Sequence, residues 1–408
     1  MKILHVIAQK PQDTGSGVYV KNLIKQLNGC EQALIAGIDR EDEIDTGISF
    51  YPVVFRQGKL DFPVVGMSDR MPYESTIYSE LNGEKLKNWK NVFRERLLEA
   101  KEQFSPDIVV SHHLYLLTSM VKEIFEGTRV VGVCHATDIR QLMTHELERE
   151  YIKDQISKLE MVFALHEKQK DQIADIFSVD HNRIEVMGLG YDDEIFNGDR
   201  KKKEKKEIWY VGKVAYAKGV DELLEAYEKM DMNSGEVSLK IAGGISGSEG
   251  RKLREKAESL SRSVELLGRT EQEQLAEQMK SGHILVLPSY YEGFPMVVIE
   301  ALASGMTVII NDLPGLRGAL GREITESGRV YFLPMPKLEG IDKIDPDHRM
   351  TYIDDLCTKL EEVVGSKERK KILNLEKFTW QGVGERYREV IEKNTKRPLH
   401  NMGKKGKI

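Results

Sequence analysis

The feature that most restricts this chain is a rhythm: short runs of β-branched and aliphatic residues alternate with longer amphipathic stretches along almost its whole length. Strands buried on both faces read as continuous apolar runs, and an amphipathic crossover between two of them makes the parallel βαβ unit. An α/β architecture is therefore expected. Strands are predicted at Ile3–Ala8, Gln32–Ile38, Ile48–Val54, Ile108–Ser111, Val130–Cys134, Met161–Ala164 and Ile184–Val186, with helices including Val18–Leu27, Gly83–Gln103 and Ile139–Leu159. A polar, lysine-rich run, Asn197–Lys206, breaks the rhythm and cannot bury a face, so it reads as a solvated linker closing a first domain of residues 1–196. The alternation resumes at Ile208–Val211, Val237–Ile241, Val264–Leu267, Ile284–Leu287 and Thr307–Ile310, which predicts a second doubly wound sheet over residues 207–377. Residues 378–395, with Val383, Tyr387 and Val390 at helical spacing, predict a terminal helix, and the basic tail 396–408 reads as disordered.

Two domains suit a length of 408 residues, at about 100–200 residues per domain. Lys+Arg 60 against Asp+Glu 66 gives a net charge of −6, which argues against nucleic acid as a partner, so any phosphate must be met locally. The three cysteines, Cys30, Cys134 and Cys357, have neither metal-ligand nor redox spacing and fit a reducing cytoplasm. The apolar N-terminal run is too short for a signal peptide, and no stretch approaches the ~18 residues of a spanning helix. Membrane association is limited to weak peripheral attraction of the basic tail to anionic headgroups.

Pro288 to Gly305 is the most informative segment: a buried strand leads through Gly293 and Pro295 into a helix carrying Glu300, seven residues beyond Glu292. A turn opening into a helix N-terminus presents unpaired N–H groups and a positive dipole end to an anion, and a carboxylate inside that helix can accept from vicinal hydroxyls. Ile208–Gly219 is a strand ending at Gly212, followed by two cations, Lys213 and Lys218, ahead of another helix. In the first half, Ala8–Val18 leaves a strand through a loop with Asp13, Gly15 and Gly17, and Val131–Asp138 ends a strand with His135, Thr137 and Asp138 at the edge where open α/β sheets bind ligands. Adjacent His112 and His113 have a metal-like look, but neighbours in a strand point to opposite faces. Asp345-Pro346-Asp347-His348 imitates an acidic metal motif and reads as a turn.

The Glu292–Glu300 segment resembles the E-x7-E signature of retaining glycosyltransferases of family four, which have the GT-B fold of two Rossmann-like doubly wound domains facing across a cleft. The resemblance spans nearly the whole chain and is strongest from Ile208 to Asn311. It implies that Glu300 binds the donor ribose, that Gly293, Phe294 and Pro295 lie against sugar and phosphates, and that Glu292 belongs to the catalytic set. Ile208–Gly219 is similar to the family's G-R-L-x-x-x-K-G segment, so Lys213 and Lys218 would hold the diphosphate, with lysine at 213 where arginine is usual and its bidentate fork lost. The H-G-T-D segment reads His135-Ala136-Thr137-Asp138, giving His135 a role at the reacting sugar and Asp138 one on the acceptor side. Gly15, Gly17, Gly212 and Arg269 fall on the donor side. Arg70 and Tyr73, in the long patternless stretch Asp61–Tyr73, are expected to line the acceptor side. Pro314-Gly315-Leu316-Arg317-Gly318 lacks the acid of the family's P-G-x-x-E. The implied activity is retaining transfer of a hexosyl group from a nucleotide-sugar, a UDP-sugar by the family's habit, to an acceptor hydroxyl on a small molecule, glycan or lipid-linked carrier. No cofactor and no metal are expected. The rivals are a catalytically silent nucleotide-sugar-binding protein and a UDP-sugar epimerase of the same fold.

Overall fold

The computed structural model describes residues 1–395 apart from 13, 70, 199–204, 233–234, 293, 341–342 and 367–371. Most of the lysine-rich run and the whole tail from 396 thus lie outside the described residues. The chain forms two compact units: Met1–Gly190 with the segment from Trp380, and Tyr191–Thr379. Where the second unit begins and ends, Tyr191 N donates to Phe378 O at 2.8 Å.

The first unit is built on β1 (Lys2–Ile7), β2 (Glu31–Asp39), β3 (Ser49–Phe55), the two-residue pair β4 (Val65–Gly66) and β5 (Thr76–Ile77), then β6 (Ile108–His112), β7 (Arg129–Val133), β8 (Met161–Ala164) and β9 (Ile184–Val186). Seven of these make one parallel sheet in the order β3-β2-β1-β6-β7-β8-β9. Alternate residues of β1 feed different cores: Leu4 and Val6 join Trp89 and Phe93, whereas Ile3 joins Tyr19 and Tyr387. Such two-sided burial is what a central parallel strand requires. The terminal helix Trp380–Thr395 belongs to this unit. It is fixed by a 2.8 Å hydrogen bond between the Tyr387 and Tyr19 hydroxyls, and by Arg386 Nη2 donating to Met187 O at 2.8 Å.

The second unit contains β10 (Lys206–Val211), β11 (Val237–Ala242), β12 (Val264–Gly268), β13 (Ile284–Leu287), β14 (Thr307–Asn311) and β15 (Val330–Leu333), plus the small antiparallel pair β16 (Leu338–Glu339) and β17 (Lys343–Ile344). The main sheet is parallel, ordered β12-β11-β10-β13-β14-β15. In both sheets the winding reverses beside the first strand, between β1 and β6 and between β10 and β13. Ligands of open α/β sheets bind outside the strand carboxyl ends at such a reversal.

Three sequence expectations are corrected. The single helix Ile139–Leu159 is two helices, Ala136–Thr144 and Arg149–Ser157. They are separated by Glu148 in the left-handed region (φ 44°), whose carboxylate is held by Lys90 Nζ at 2.6 Å. A glutamate gives no signal of that conformation, which glycine or asparagine would. Asp345-Pro346-Asp347 is not a turn but the start of the helix Pro346–Gly365, with Asp345 accepting from Asp347 N at 3.0 Å as its cap. Helix starts and turns use the same residue types, and proline suits the first helical position because its missing N–H has no partner to lose there. β15 was not expected, because a four-residue apolar run carries too little periodicity to be assigned.

Candidate functional site

In the second unit the site is assembled by two loops at the β10/β13 reversal. A Cβ on Gly243 would sit 1.7 Å from Gly212 O, so the segments leaving β11 and β10 meet backbone to backbone, which only glycine allows. Lys213 follows, exposed. Gly219, at φ 66°, brings the Tyr216–Lys218 turn against the chain leaving β13, where a Cβ would lie 2.3 Å from Pro288 O. Tyr290 N donates to Ala217 O at 3.2 Å and ties the two loops together. Lys218 Nζ consequently donates to Glu292 Oε1 at 2.8 Å and to Tyr291 O at 3.1 Å. The side chains of Lys218 and Glu292 are only 27% and 21% exposed, so screening by water is weaker than for a surface pair.

Pro295 caps the helix Met296–Ala303, and Val298 N donates back to Pro295 O at 3.0 Å, so that the positive end of the helix dipole lies at Met296 and Val297. Phe294 stacks on Phe378, centroids 6.3 Å apart, and Gly293 lies outside the described residues. Glu300 keeps part of its surface exposed although protein atoms crowd its carboxyl. That crowding pushes its pKa up to about 7, opposed by a hydrogen bond from Gln272. Near neutrality the group is thus poised between neutral acid and carboxylate. Arg269 is exposed just beyond β12.

In the first unit, Thr14 Oγ1 accepts from Gly17 N at 3.0 Å and caps the helix Gly15–Gln26. A Cβ on Gly17 would come within 2.7 Å of Gln12 N, whereas Gly15 faces open space. Asp13 and Arg70 lie outside the described residues. Gln9 bridges this loop to the Asp61–Tyr73 stretch: its Nε2 donates to Ser16 Oγ at 2.8 Å, and its Oε1 accepts from Met67 N at 2.9 Å. That stretch is packed rather than open, with Val64, Val65 and Met67 buried and the Tyr73 ring 5.0 Å from Lys10 Nζ.

His135 begins the helix that follows β7 and is buried. Burial, with His113 beside it, drives its pKa down to about 3, so the ring is neutral at any ordinary pH. Its Nε2 is 3.3 Å from Nδ1 of His112, itself held well below the usual range by burial. The expectation that His112 and His113 diverge is corrected: β6 ends at His112, and His113 turns left-handed (φ 71°), so both rings reach His135. His113 Nδ1–H donates to Asp138 Oδ1 at 2.6 Å, while Asp138 Oδ2 accepts from His135 N at 2.9 Å and Leu114 N at 2.7 Å. Burial pushes the Asp138 carboxyl up, but His113 and these donors hold it below its ordinary value. Asp138 is thus fully buried and spends its oxygens on protein, which makes it a positioning residue for His135. Among the described residues no three His, Cys, Asp or Glu side chains are grouped to hold a metal ion.

The sequence reading missed Asn311, Tyr352 and Gln272. Asn311 had a signal, a polar residue at the carboxyl end of a buried strand; Tyr352 and Gln272 sit in ordinary amphipathic helices and had none.

Two parallel doubly wound sheets in tandem, each with polar groups gathered at its reversal point, define the GT-B class of glycosyltransferase. The family described as Glycosyltransferase Family 4 matches residues 14–195, and that described as Glycosyl transferases group 1 matches residues 192–329. The two lie in tandem over residues 14–329, and together they support a GT-B glycosyltransferase of the group 1 and family 4 kind. It is 23% identical over 287 residues to an uncharacterized glycosyltransferase of Methanocaldococcus jannaschii, covering 64% of this chain and 70% of that one. Matches to further curated relatives span 54% and 57% of their lengths. Among solved structures, a sucrose-phosphate synthase from Thermosynechococcus elongatus superposes with TM-score 0.66 at 17% identity, covering 96% of this chain and 98% of that one. The Anabaena protein HepE in complex with UDP gives 0.64 at 11% identity, covering 96% and 100%.

Proposed function

We infer that the chain is a retaining glycosyltransferase that moves a hexosyl group from a nucleoside-diphosphate donor, with UDP favoured, to an acceptor hydroxyl. The observation that carries this reading is the Lys218–Glu292 pair, set beside a helix N-terminus that carries a crowded carboxyl, Glu300, a turn and a half further on. The cation and the helix dipole suit a departing diphosphate, and Glu300 as carboxylate accepts from the ribose hydroxyls. The UDP in HepE supports the choice of base. In retaining transfer the leaving diphosphate and the incoming hydroxyl share one face of the sugar, so the protein mainly positions reactants and stabilises charge. Neutral His135, oriented through Asp138 and His113, is suited to hydrogen-bond a sugar hydroxyl rather than to carry a proton. Lys213 adds a second, freely placed cation, and no metal is required.

The test is incubation with UDP-, GDP- and ADP-sugars without an acceptor. Slow release of nucleoside diphosphate, lost in Lys218→Ala, supports transfer. Interconversion of the intact donor would indicate the epimerase instead, and binding without turnover the silent protein.

A further inference from the structure

The loop that carries Glu292 does not hold its own position. Asn311, fully buried at the end of β14, donates from Nδ2 to Pro288 O at 2.9 Å and to Ser289 O at 3.1 Å. Its Oδ1 accepts from the Tyr352 hydroxyl at 2.6 Å. Tyr352 comes from the helix Pro346–Gly365, so a side chain outside the site fixes which way the Asn311 amide faces. Reversing that amide would set its oxygen against two carbonyl oxygens and its NH2 against the tyrosine. The tyrosine hydroxyl can turn to accept, but the two carbonyls cannot become donors. One amide thus clamps two consecutive carbonyls directly ahead of Tyr290, whose N–H ties the loop to Ala217, and of Glu292, which meets Lys218.

We propose that Asn311, oriented by Tyr352, is a positioning residue for the reaction: its two hydrogen bonds to Pro288 and Ser289 hold the Glu292 loop in register with Lys218. The inference rests on the glycosyltransferase reading and extends it to a pair of side chains that touch no substrate. Misplacement of catalytic groups by about 1 Å costs on the order of 10²-fold in rate, so the clamp acts on turnover. Donor affinity depends more on Glu300, well inside the following helix, and changes less.

Asn311→Asp is the decisive variant because it keeps the shape and exchanges the donor for an acid. Ionised, it faces two carbonyl oxygens with no proton to give. Protonated, it donates to one of them and still accepts from Tyr352. Donor turnover by Asn311→Asp, relative to wild type, falls about 10²-fold at pH 8 and recovers several-fold at pH 5.5, with donor KM little changed. Tyr352→Phe keeps both donors but frees the amide, and loses about three- to tenfold in kcat without any recovery in acid, the worth of one neutral hydrogen bond. Circular dichroism and thermal melts at both pH values establish that each variant is folded; a variant that does not fold is replaced by Asn311→Ser, which keeps one donor and gives an intermediate kcat. If wild type turns over and the relative rate of Asn311→Asp is flat with pH, or KM rises while kcat holds, the positioning role is overturned and the function stands. If wild type neither binds nor turns over any nucleotide-sugar, the functional reading falls and the positioning role falls with it.

Discussion

Glu300→Gln separates what Glu300 does for binding from what it costs the fold. Crowding raises the carboxyl from its ordinary 4.5 to about 7. At about 1.4 kcal/mol per pH unit, that difference corresponds to at most about 3–4 kcal/mol, an upper figure because part of the side chain stays exposed to water. For an acid whose folded-state pKa is raised, the folded protein binds more protons than the unfolded chain between the two values. Its contribution to stability is therefore complete below about 4.5 and lost as pH rises through about 7. Urea unfolding of wild type and Glu300→Gln at pH 5, 6, 7 and 8 isolates this group, since other titrations are common to both and cancel in the difference. The variant gains on wild type as pH rises, by up to about 3–4 kcal/mol at pH 8. In calorimetric titration with UDP the same variant is the weaker protein: losing a charged acceptor for the ribose costs about 1.5–3 kcal/mol, or roughly ten- to hundredfold in affinity. A stability difference that does not change with pH would refute the crowded-carboxyl account, and unchanged UDP affinity would refute the ribose contact.

Lys218→Ala lowers kcat by about 10²–10³-fold in a donor-hydrolysis assay, and a loss under threefold removes Lys218 from the catalytic set. Gly243→Ala drives a methyl group into Gly212 O and lowers stability by about 3 kcal/mol or more, read as a fall in the thermal transition. Arg349→Ala releases Asp221, Glu222 and Glu225, which the guanidinium now holds at 2.6–3.1 Å, and destabilises the chain by about 1–3 kcal/mol in urea. Turnover after treatment with a chelator is the same as before it, and a loss restored by a divalent cation would contradict the metal-free mechanism.

Apart from β15, the strands of both main sheets were legible because burial forces continuous apolar runs, as in β1 and β14, and their ends fell within about two residues of the predicted bounds. The tight turns after β10 were legible too, since glycines such as Gly212 and Gly219 announce where the backbone leaves the ordinary φ range. What stayed hidden depends on contacts between distant segments. Asp138 looked like an edge residue open to an acceptor, but its oxygens are taken by His113, Leu114 and His135. The convergence of His112 and His113 on His135 required a left-handed histidine, which a strand pattern does not encode. The clamp by Asn311 joins residues 23 positions apart, and Tyr352 is 41 further along the chain. Fold class follows from local periodicity, whereas the orientation of a polar side chain follows from tertiary partners.

The central claim, retaining transfer from a nucleotide-sugar, is tested most directly by following the sugar released from α-linked UDP-, GDP- and ADP-hexoses by proton NMR. Spectra are recorded fast enough to see the first anomer formed, with Lys218→Ala as the control. The account predicts that the α-anomer appears first, alongside the nucleoside diphosphate, from at least one donor and only with wild type. The β-anomer appearing first would contradict retention, and no release from any donor would contradict the transferase itself.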